Sequence, residues 1–269
     1  MSKAPLRQIF TPIQPLSHQK NIVYQQFAPH FHLQDFIYCY WQLKTTQQFP
    51  EGFNYQVVTD GCMDILFNIS RPSDSFVMGF TNQSTRFQLP PNFHYIGIRF
   101  LPAALPLLFR INAHELTNKD EWLDDVLPHT ARFIDENFHA QMPIQLIIGQ
   151  LDQYFGKLYN QLVKSIDPRL TQALYLIAQN QGAISIEQGI DVGLSSRQLR
   201  RLFQQYVGHS PKTFAKVVRF QYLLKLNNNT HLYNSKLFYD LGYHDQAHFI
   251  KEFKKLFGTT PTQAFNSLD

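Results

Sequence analysis

The sequence predicts a multidomain α+β protein: a small N-terminal β-barrel with helices after it, then a C-terminal all-α domain. Three observations predict this. Between residues 56 and 100, short apolar runs alternate with turn signals, which is the pattern of short strands. From Pro102 onward the apolar residues recur every three or four positions, the period of a helix. The length of 269 residues suits two domains, at roughly 100–200 residues per domain. A chain that is 44% hydrophobic, with 24 Phe and 13 Tyr, can bury real cores, which excludes wholesale disorder.

In chain order, Gln56 to Thr59 and Met63 to Ile69 flank Asp60-Gly61 and read as a hairpin around a tight turn. Ser75 to Phe80 and Thr85 to Leu89 follow, then Pro90-Pro91. Phe93 to Phe100 alternates again and ends before Pro102. Such strands suggest a small barrel or sandwich. Leu105, Leu108 and Phe109 fit a short helix, and Glu121, Asp124 and Asp125 make the next segment acidic. Pro143 opens a long helix with one apolar stripe: Ile144, Ile147, Ile148, Leu151, Tyr154, Phe155, Leu158 and Leu162. That stripe either packs against the β domain of its own chain or contributes to a homodimer interface. Ser165-Ile166-Asp167-Pro168 breaks the pattern. The expected division is 1–112 for the β domain, 113–165 for a helical linker and 166–269 for the C-terminal domain.

The C-terminal segment begins with a helix from Arg169 to Gln181, and Ser185 to Gln188 starts a second one. Gly193-Leu194-Ser195 is a turn whose Ser195 can cap the helix from Ser196 to Val207. On that helix Leu199, Leu202, Phe203 and Tyr206 share one side, while Arg197, Arg200, Arg201 and Gln204 share the other, with Ser196 in the first turn. After a long helix from Thr213 to Leu226 the arrangement recurs: a short helix from Ser235 to Leu241, a turn at Gly242 to Asp245, and a helix from Gln246 to Phe257. Its apolar side is Phe249, Ile250, Phe253, Leu256 and Phe257. Gln246 starts it, and Ala247, Lys251 and Lys254 point outward. A helix-turn-helix needs this division, with an apolar face to fix the helix and donors to enter a groove. Arginine suits guanine because its fork matches the O6 and N7 acceptors. Charge agrees: residues 166–269 hold 12 Lys and Arg against 7 Asp and Glu, while residues 1–165 hold 12 against 13. A basic domain beside a near-neutral one suggests an anionic partner, and with the two helix-turn-helix faces the expected partner is double-stranded DNA.

The stretch from Leu241 to Pro261 contains Gly-Tyr-x-Asp-x-x-x-Phe-x-Lys-x-Phe-Lys-x-x-Phe-Gly-x-x-Pro. It resembles the C-terminal signature of the AraC/XylS transcription regulators of bacteria. Gly193 to Phe203 and Val207 to Lys212 resemble the first half of the same domain, so the likeness covers about residues 167–266. It implies seven helices holding two helix-turn-helix units joined by a long central helix. The family's base-facing positions fall on Arg197, Arg200 and Arg201 in the first unit and on Gln246, Ala247 and Lys251 in the second. Two departures stand out. The segment from Ser185 to Gly193 is one residue longer than usual, with Gly189 in place of a bulky apolar residue, and Asn266 follows Phe265 where a basic residue is usual. Phe36 to Trp41, Thr59 to Phe67 and Gly97 to Pro102 are similar to the cupin-like sensor domain found ahead of such DNA-binding domains.

Other chemistry finds little support. His30-Phe31-His32 lacks the carboxylate four residues on that a cupin metal site needs, since Phe36 stands there. Cys39 and Cys62 are too few for a disulfide scaffold, a four-cysteine zinc site, or the zinc-bound cysteine of DNA-repairing relatives of this family. No phosphate loop, Gly-x-Ser-x-Gly or His-Glu-x-x-His occurs. No apolar run reaches the ~20 residues of a membrane span, and Met1 to Pro15 lacks the apolar stretch of a signal peptide. The expectation is a cytoplasmic, non-enzymatic regulator without metal or cofactor. Asp60, Cys62, Asp64, Arg86 and Arg99 are the polar residues among the strands that can face a small-molecule effector. RNA polymerase is a further partner if the protein activates. The alternative is a ligand-binding or interaction module whose helical domain no longer binds DNA specifically.

Overall fold

A computed structural model describes residues 5–15, 21–162, 166–186, 189–227 and 241–266. The N-terminal half contains eight strands: β1 (Ile22–Phe27), β2 (Ile37–Thr45), β3 (Phe53–Val57), β4 (Met63–Asn68), β5 (Arg71–Met78), β6 (Thr85–Leu89), β7 (His94–Phe100) and β8 (Asp120–Trp122). Six of them form an antiparallel sheet in the order β1-β2-β7-β4-β5-β8, and β3 pairs with β6 alone. A cavity is lined from both sheets. The hairpin expected around Asp60-Gly61 does not form, because β4 lies between β5 and β7 while β3 goes to β6. Residues 58–62 instead cross between the sheets. Asp60 holds that crossing by accepting the Cys62 amide at 3.0 Å and pairing with Arg99 at 3.4 Å.

The helices are α1 (Leu6–Ile9), α2 (Ala104–Phe109), α3 (Leu123–Val126), α4 (Pro128–Asn137), α5 (Ile144–Asn160), α6 (Pro168–Gln179), α7 (Ser196–Tyr206), α8 (Pro211–Asn227), α9 (Gln246–Phe257) and α10 (Pro261–Asn266). The apolar stripe of α5 is buried within the chain at Ile147, Ile148, Leu151 and Phe155. Phe155 meets Phe100 of β7 edge-on at 5.5 Å and Phe109 of α2 at 6.5 Å. Packing against the β domain is therefore the reading the fold realises, and these side chains are not left over for a dimer interface. Asp152, on the same helix, accepts hydrogen bonds from the Tyr40 hydroxyl and the His30 amide, both at 2.9 Å. α6 opens with Asp167 accepting the Arg169 amide at 2.9 Å and Pro168 in its first turn.

The support helix expected from Ser185 is absent among the described residues. Ile186 lies in a turn and Gly189 in a bend, closed by the Gly189 amide on the Ser185 carbonyl at 2.7 Å, while Glu187 and Gln188 lie outside the described residues. Glycine is required here: a Cβ at position 189 would sit 2.7 Å from Ile184 Cγ1 and 2.8 Å from the Ser185 oxygen. The expected helix from Ser235 falls outside the described residues except for Leu241, which is buried.

One buried cluster runs through both halves of the chain. Phe214 of α8 is its junction, with ring centroids 6.0 Å from Phe10, 6.4 Å from Phe80 and 6.0 Å from Phe203. Burying a phenylalanine contributes about 1.5–3 kcal/mol, so this seam holds the helical half firmly on the β half.

Candidate functional site

α7 is set by a capping box. Ser195 Oγ accepts the Gln198 amide at 3.3 Å, and Gln198 Oε1 accepts the Ser195 amide at 3.0 Å. Leu199 and Phe203 are buried, which leaves Ser196, Arg197, Arg200 and Arg201 exposed and Gln204 half-buried. Arg201 and Gln204 also border a cleft with Arg110 and His114 of the N-terminal half. α9 begins where the Asp245 carboxylate accepts the His248 amide at 2.7 Å. Phe249, Phe253, Leu256 and Phe257 are buried, and Gln246, Ala247, Lys251 and Lys254 are exposed. Ile250, expected on the apolar side, is 37% exposed. Glu252 is buried in its stead, because it is ion-paired.

Glu252 meets Arg219 of α8 at 2.8 Å and Lys216 at 2.7 Å. Arg219 also donates to the carbonyls of Leu241 and Gly242, each at 3.3 Å, and lies 4.1 Å over the Tyr243 ring. One guanidinium thus ties the second turn and the second basic helix to the central helix. Burial pushes the Glu252 carboxyl up, but the hydrogen bond from Lys216 and the charge of Arg219 outweigh it and hold the group below its ordinary range.

The far end of α9 is satisfied from the β domain. The last carbonyls of a helix lack intrahelical partners. Here the Ser84 amide donates to the Lys255 carbonyl at 3.0 Å, the Thr59 amide to Leu256 at 3.3 Å, and the Gln56 side chain to Phe257. Gln221 of α8 adds a buried connection: its Nε2 donates to the Thr59 carbonyl at 2.6 Å and to the Ile13 carbonyl at 3.2 Å, and its Oε1 accepts the Ile13 amide at 2.6 Å.

The cavity between the sheets has a volume of about 230 Å³. Asp60, Cys62, Asp64 and Arg99 line it, whereas Arg86 is exposed on β6 and is not among the lining residues. Its neighbour Phe87 lines the cavity instead, because adjacent side chains of a strand point to opposite faces. Asp64 and Arg99 are direct cross-strand partners. Arg99 Nε lies 3.1 Å from Asp64 Oδ1 and Nη2 lies 2.9 Å from Oδ2. Trp41 Nε1 donates to the same Oδ2 at 3.0 Å. The indole lies flat across Gly97, where a Cβ would fall 2.0 Å from Trp41 Cε2, so only glycine permits this floor. Burial raises the Asp64 carboxyl, with Arg99 opposing, and pushes the Cys39 thiol up to about 12 and the Cys62 thiol up as well. Both cysteines are free and buried.

Sequence reasoning missed Gln14, Gln56, Arg219, Gln221 and Glu252. Each is a polar residue within an otherwise ordinary strand, helix or loop, and only its long-range partner distinguishes it. A weak signal existed for Arg219 and Glu252 as charged residues next to apolar helix positions.

α7 and α9 are each capped by a side chain, buried along one face and basic on the exposed one. A family model described as a helix-turn-helix domain matches residues 191–267, and one described as a domain of unknown function, DUF6597, matches residues 25–121. The chain carries a helix-turn-helix domain of the AraC type behind a DUF6597 domain. An uncharacterized HTH-type transcriptional regulator of Haemophilus influenzae is 37% identical over 102 residues, which make up 36% of this chain and 33% of that one. The chain thus spans about a third of the length of that relative. A crystal structure of ToxT from Vibrio cholerae O395 covers 93% of this chain and 99% of its own at 10% identity, with a TM-score of 0.39. ToxT bound to (E)-4-(8-methylnaphthalen-1-yl)but-3-enoic acid covers 93% of this chain and 100% of its own at 10% identity, with a TM-score of 0.36. No helix among the described residues is long and apolar enough to cross a membrane.

Proposed function

We propose that the protein is a sequence-specific DNA-binding transcription regulator whose affinity for DNA is set by a small molecule in the β-domain cavity. Residues 1–112 act as the sensor, 113–165 connect, and 166–269 bind double-stranded DNA. Ser196, Arg197, Arg200, Arg201 and Gln204 on α7, with Gln246, Ala247, Lys251 and Lys254 on α9, face the DNA. The two helices enter successive major grooves about 34 Å apart. The observation that carries this reading is the pairing of two side-chain-capped helices, each buried along one face with its basic residues exposed on the other. No catalytic role is assigned, and RNA polymerase is a further partner if the regulator activates.

Gating is supported by the segment 55–60, which serves both sites. Tyr55, Val57, Val58 and Asp60 line the cavity, while Gln56 and Thr59 between them bond to α8 and α9. A ligand that moves this segment changes the support of the second basic helix, provided it binds the two arrangements with different affinity.

Selection of bound sequences from random DNA, followed by salt titration, tests the function. A regulator gives a preferred sequence and a linear fall of log affinity with log salt as counterions are released. A flat response, or no preference over random DNA, favours an interaction module that no longer binds DNA specifically.

A further inference from the structure

α7 does not stand clear of the N-terminal half. It packs against α2 and against the short helical turn Ala113–Leu116. Its far end is fixed there: Thr117 Oγ1 donates to the Gly208 carbonyl at 2.7 Å, and His114 Nδ1 lies 3.4 Å from the same oxygen. Beside this seam lies a cleft of about 680 Å³, lined by Arg201, Gln204 and Gln205 of α7 and by Arg110, Asn112 and His114 of the N-terminal half. Arg110 and Arg201 are both exposed. Among the described residues neither guanidinium has an ion-pair or hydrogen-bond partner. No aspartate or glutamate is among the described residues that line the cleft, so two guanidiniums share it without a counter-charge.

Arg110 is also an uncommon residue for its place. It ends α2 in the left-handed region, at φ 57° and ψ 36°, with its amide on the Pro106 carbonyl. Glycine or asparagine is usual at such a helix end, because the Cβ of other residues is strained there. Strain of this kind gathers where a side chain is needed for what it reaches. Composition does not explain it either: residues 1–165 hold 12 Lys and Arg against 13 Asp and Glu, so the N-terminal half has no basic excess to spread over its surface.

We propose that Arg110 contacts a DNA backbone phosphate, so that the N-terminal half extends the DNA-binding surface beside α7. The proposal rests on the reading of α7 as a DNA-facing helix and adds a contact from the other half of the chain. Two neighbouring guanidiniums without a counter-charge attract one polyanion that passes along both, Arg201 from α7 and Arg110 from the end of α2. A phosphate contact fixes the position of the protein on the duplex and carries no base information.

The test uses the full chain on its selected DNA site, with Arg110→Gly, Arg110→Lys and, as a control for net charge, Arg132→Ala on the exposed side of α4. Glycine suits the left-handed backbone, so Arg110→Gly should melt at the temperature of the parent or above it while binding DNA more weakly. One phosphate contact fewer flattens the slope of log affinity against log salt by about 0.9, which makes the parent's advantage about 3.5-fold larger at 50 mM than at 200 mM salt. The preferred sequence should stay the same. Arg110→Lys should restore the slope, and Arg132→Ala should leave it unchanged. A parent that binds its site specifically and an Arg110→Gly variant with the same slope overturn this inference and leave the regulator reading standing. A parent with no DNA preference overturns both. A change of preferred base, or lower melting temperature and weaker binding in the glycine and lysine variants alike, also overturns it. So does a rise in the parent's melting temperature with inorganic phosphate at matched ionic strength that Arg110→Gly lacks while its DNA affinity is unchanged, since the cleft then holds a free anion.

Discussion

The Gln221 side chain reaches from the middle of α8 to the carbonyl of Thr59 at 2.6 Å, joining the central helix of the C-terminal half to the segment that walls the cavity. It is 3% exposed and also holds both polar backbone groups of Ile13. Gln221→Leu keeps the size of the side chain and strands three backbone groups at the seam. Unsatisfied buried groups cost about 1–3 kcal/mol each, so the unfolding free energy should fall by an amount in that range or above, read as a lower urea midpoint. An unchanged midpoint would mean that water enters the seam and replaces the amide.

Gln56 offers a milder cut of the same connection, because only its tip touches α9. Gln56→Ala should leave the fold intact and weaken the response of DNA affinity to a bound ligand. Binding isotherms on a selected DNA site, with and without ligand, check this. A response equal to that of the parent chain removes the 55–60 segment from the gating route.

Arg200→Ala and Lys251→Ala separate base reading from phosphate contact. A bidentate arginine lost from guanine costs about 1–3 kcal/mol and relaxes preference at one base position. Loss of a phosphate contact weakens binding evenly across sequences and flattens the salt slope by about one. Selection profiles with each variant assign the two residues. Neutral outcomes in both would withdraw the residue-level assignment.

Glu252 makes the second helix-turn-helix unit acid-sensitive. Its carboxyl is held below the ordinary range in the folded state. The stability it contributes is therefore fully present above the unfolded pKa of about 4.3 and is lost as pH falls through the depressed folded value. Thermal melts from pH 7 downward should show a decline that Glu252→Gln flattens, at the cost of lower stability at neutral pH. An equal decline in both proteins would move the acid sensitivity to another carboxylate.

Gly97→Ala tests the cavity floor. The added methyl group overlaps the Trp41 ring, and overpacking of this kind costs about 1–3 kcal/mol. The indole should lift from β7, lose its bond to Asp64, and change the tryptophan emission spectrum. An unchanged spectrum and melting point would show that the sheet yields and the ring does not.

The sequence by itself determined the elements whose signals are local. The bounds of α9 follow from a cap at Asp245, an apolar repeat and the glycine at 258, all within one segment. α7 and the strands β4, β6 and β7 were legible for the same reason, since period and punctuation act between near neighbours. β1, β8 and α4 have weaker local patterns and went unread. Tertiary structure alone decided the pairing of β3 with β6 in place of a hairpin with β4. It also decided that the α5 stripe packs within the chain, that Arg86 faces outward while Arg99 lines the cavity, and that Glu252 is buried while Ile250 remains partly exposed. Each of these depends on groups far apart in the chain, as Asp64 and Arg99 are at a separation of 35 positions, or Thr59 and Gln221 at 162. Hydrogen bonds and ion pairs at such separations leave no period in the sequence, because a single polar residue satisfied by a distant partner looks the same as one satisfied by water.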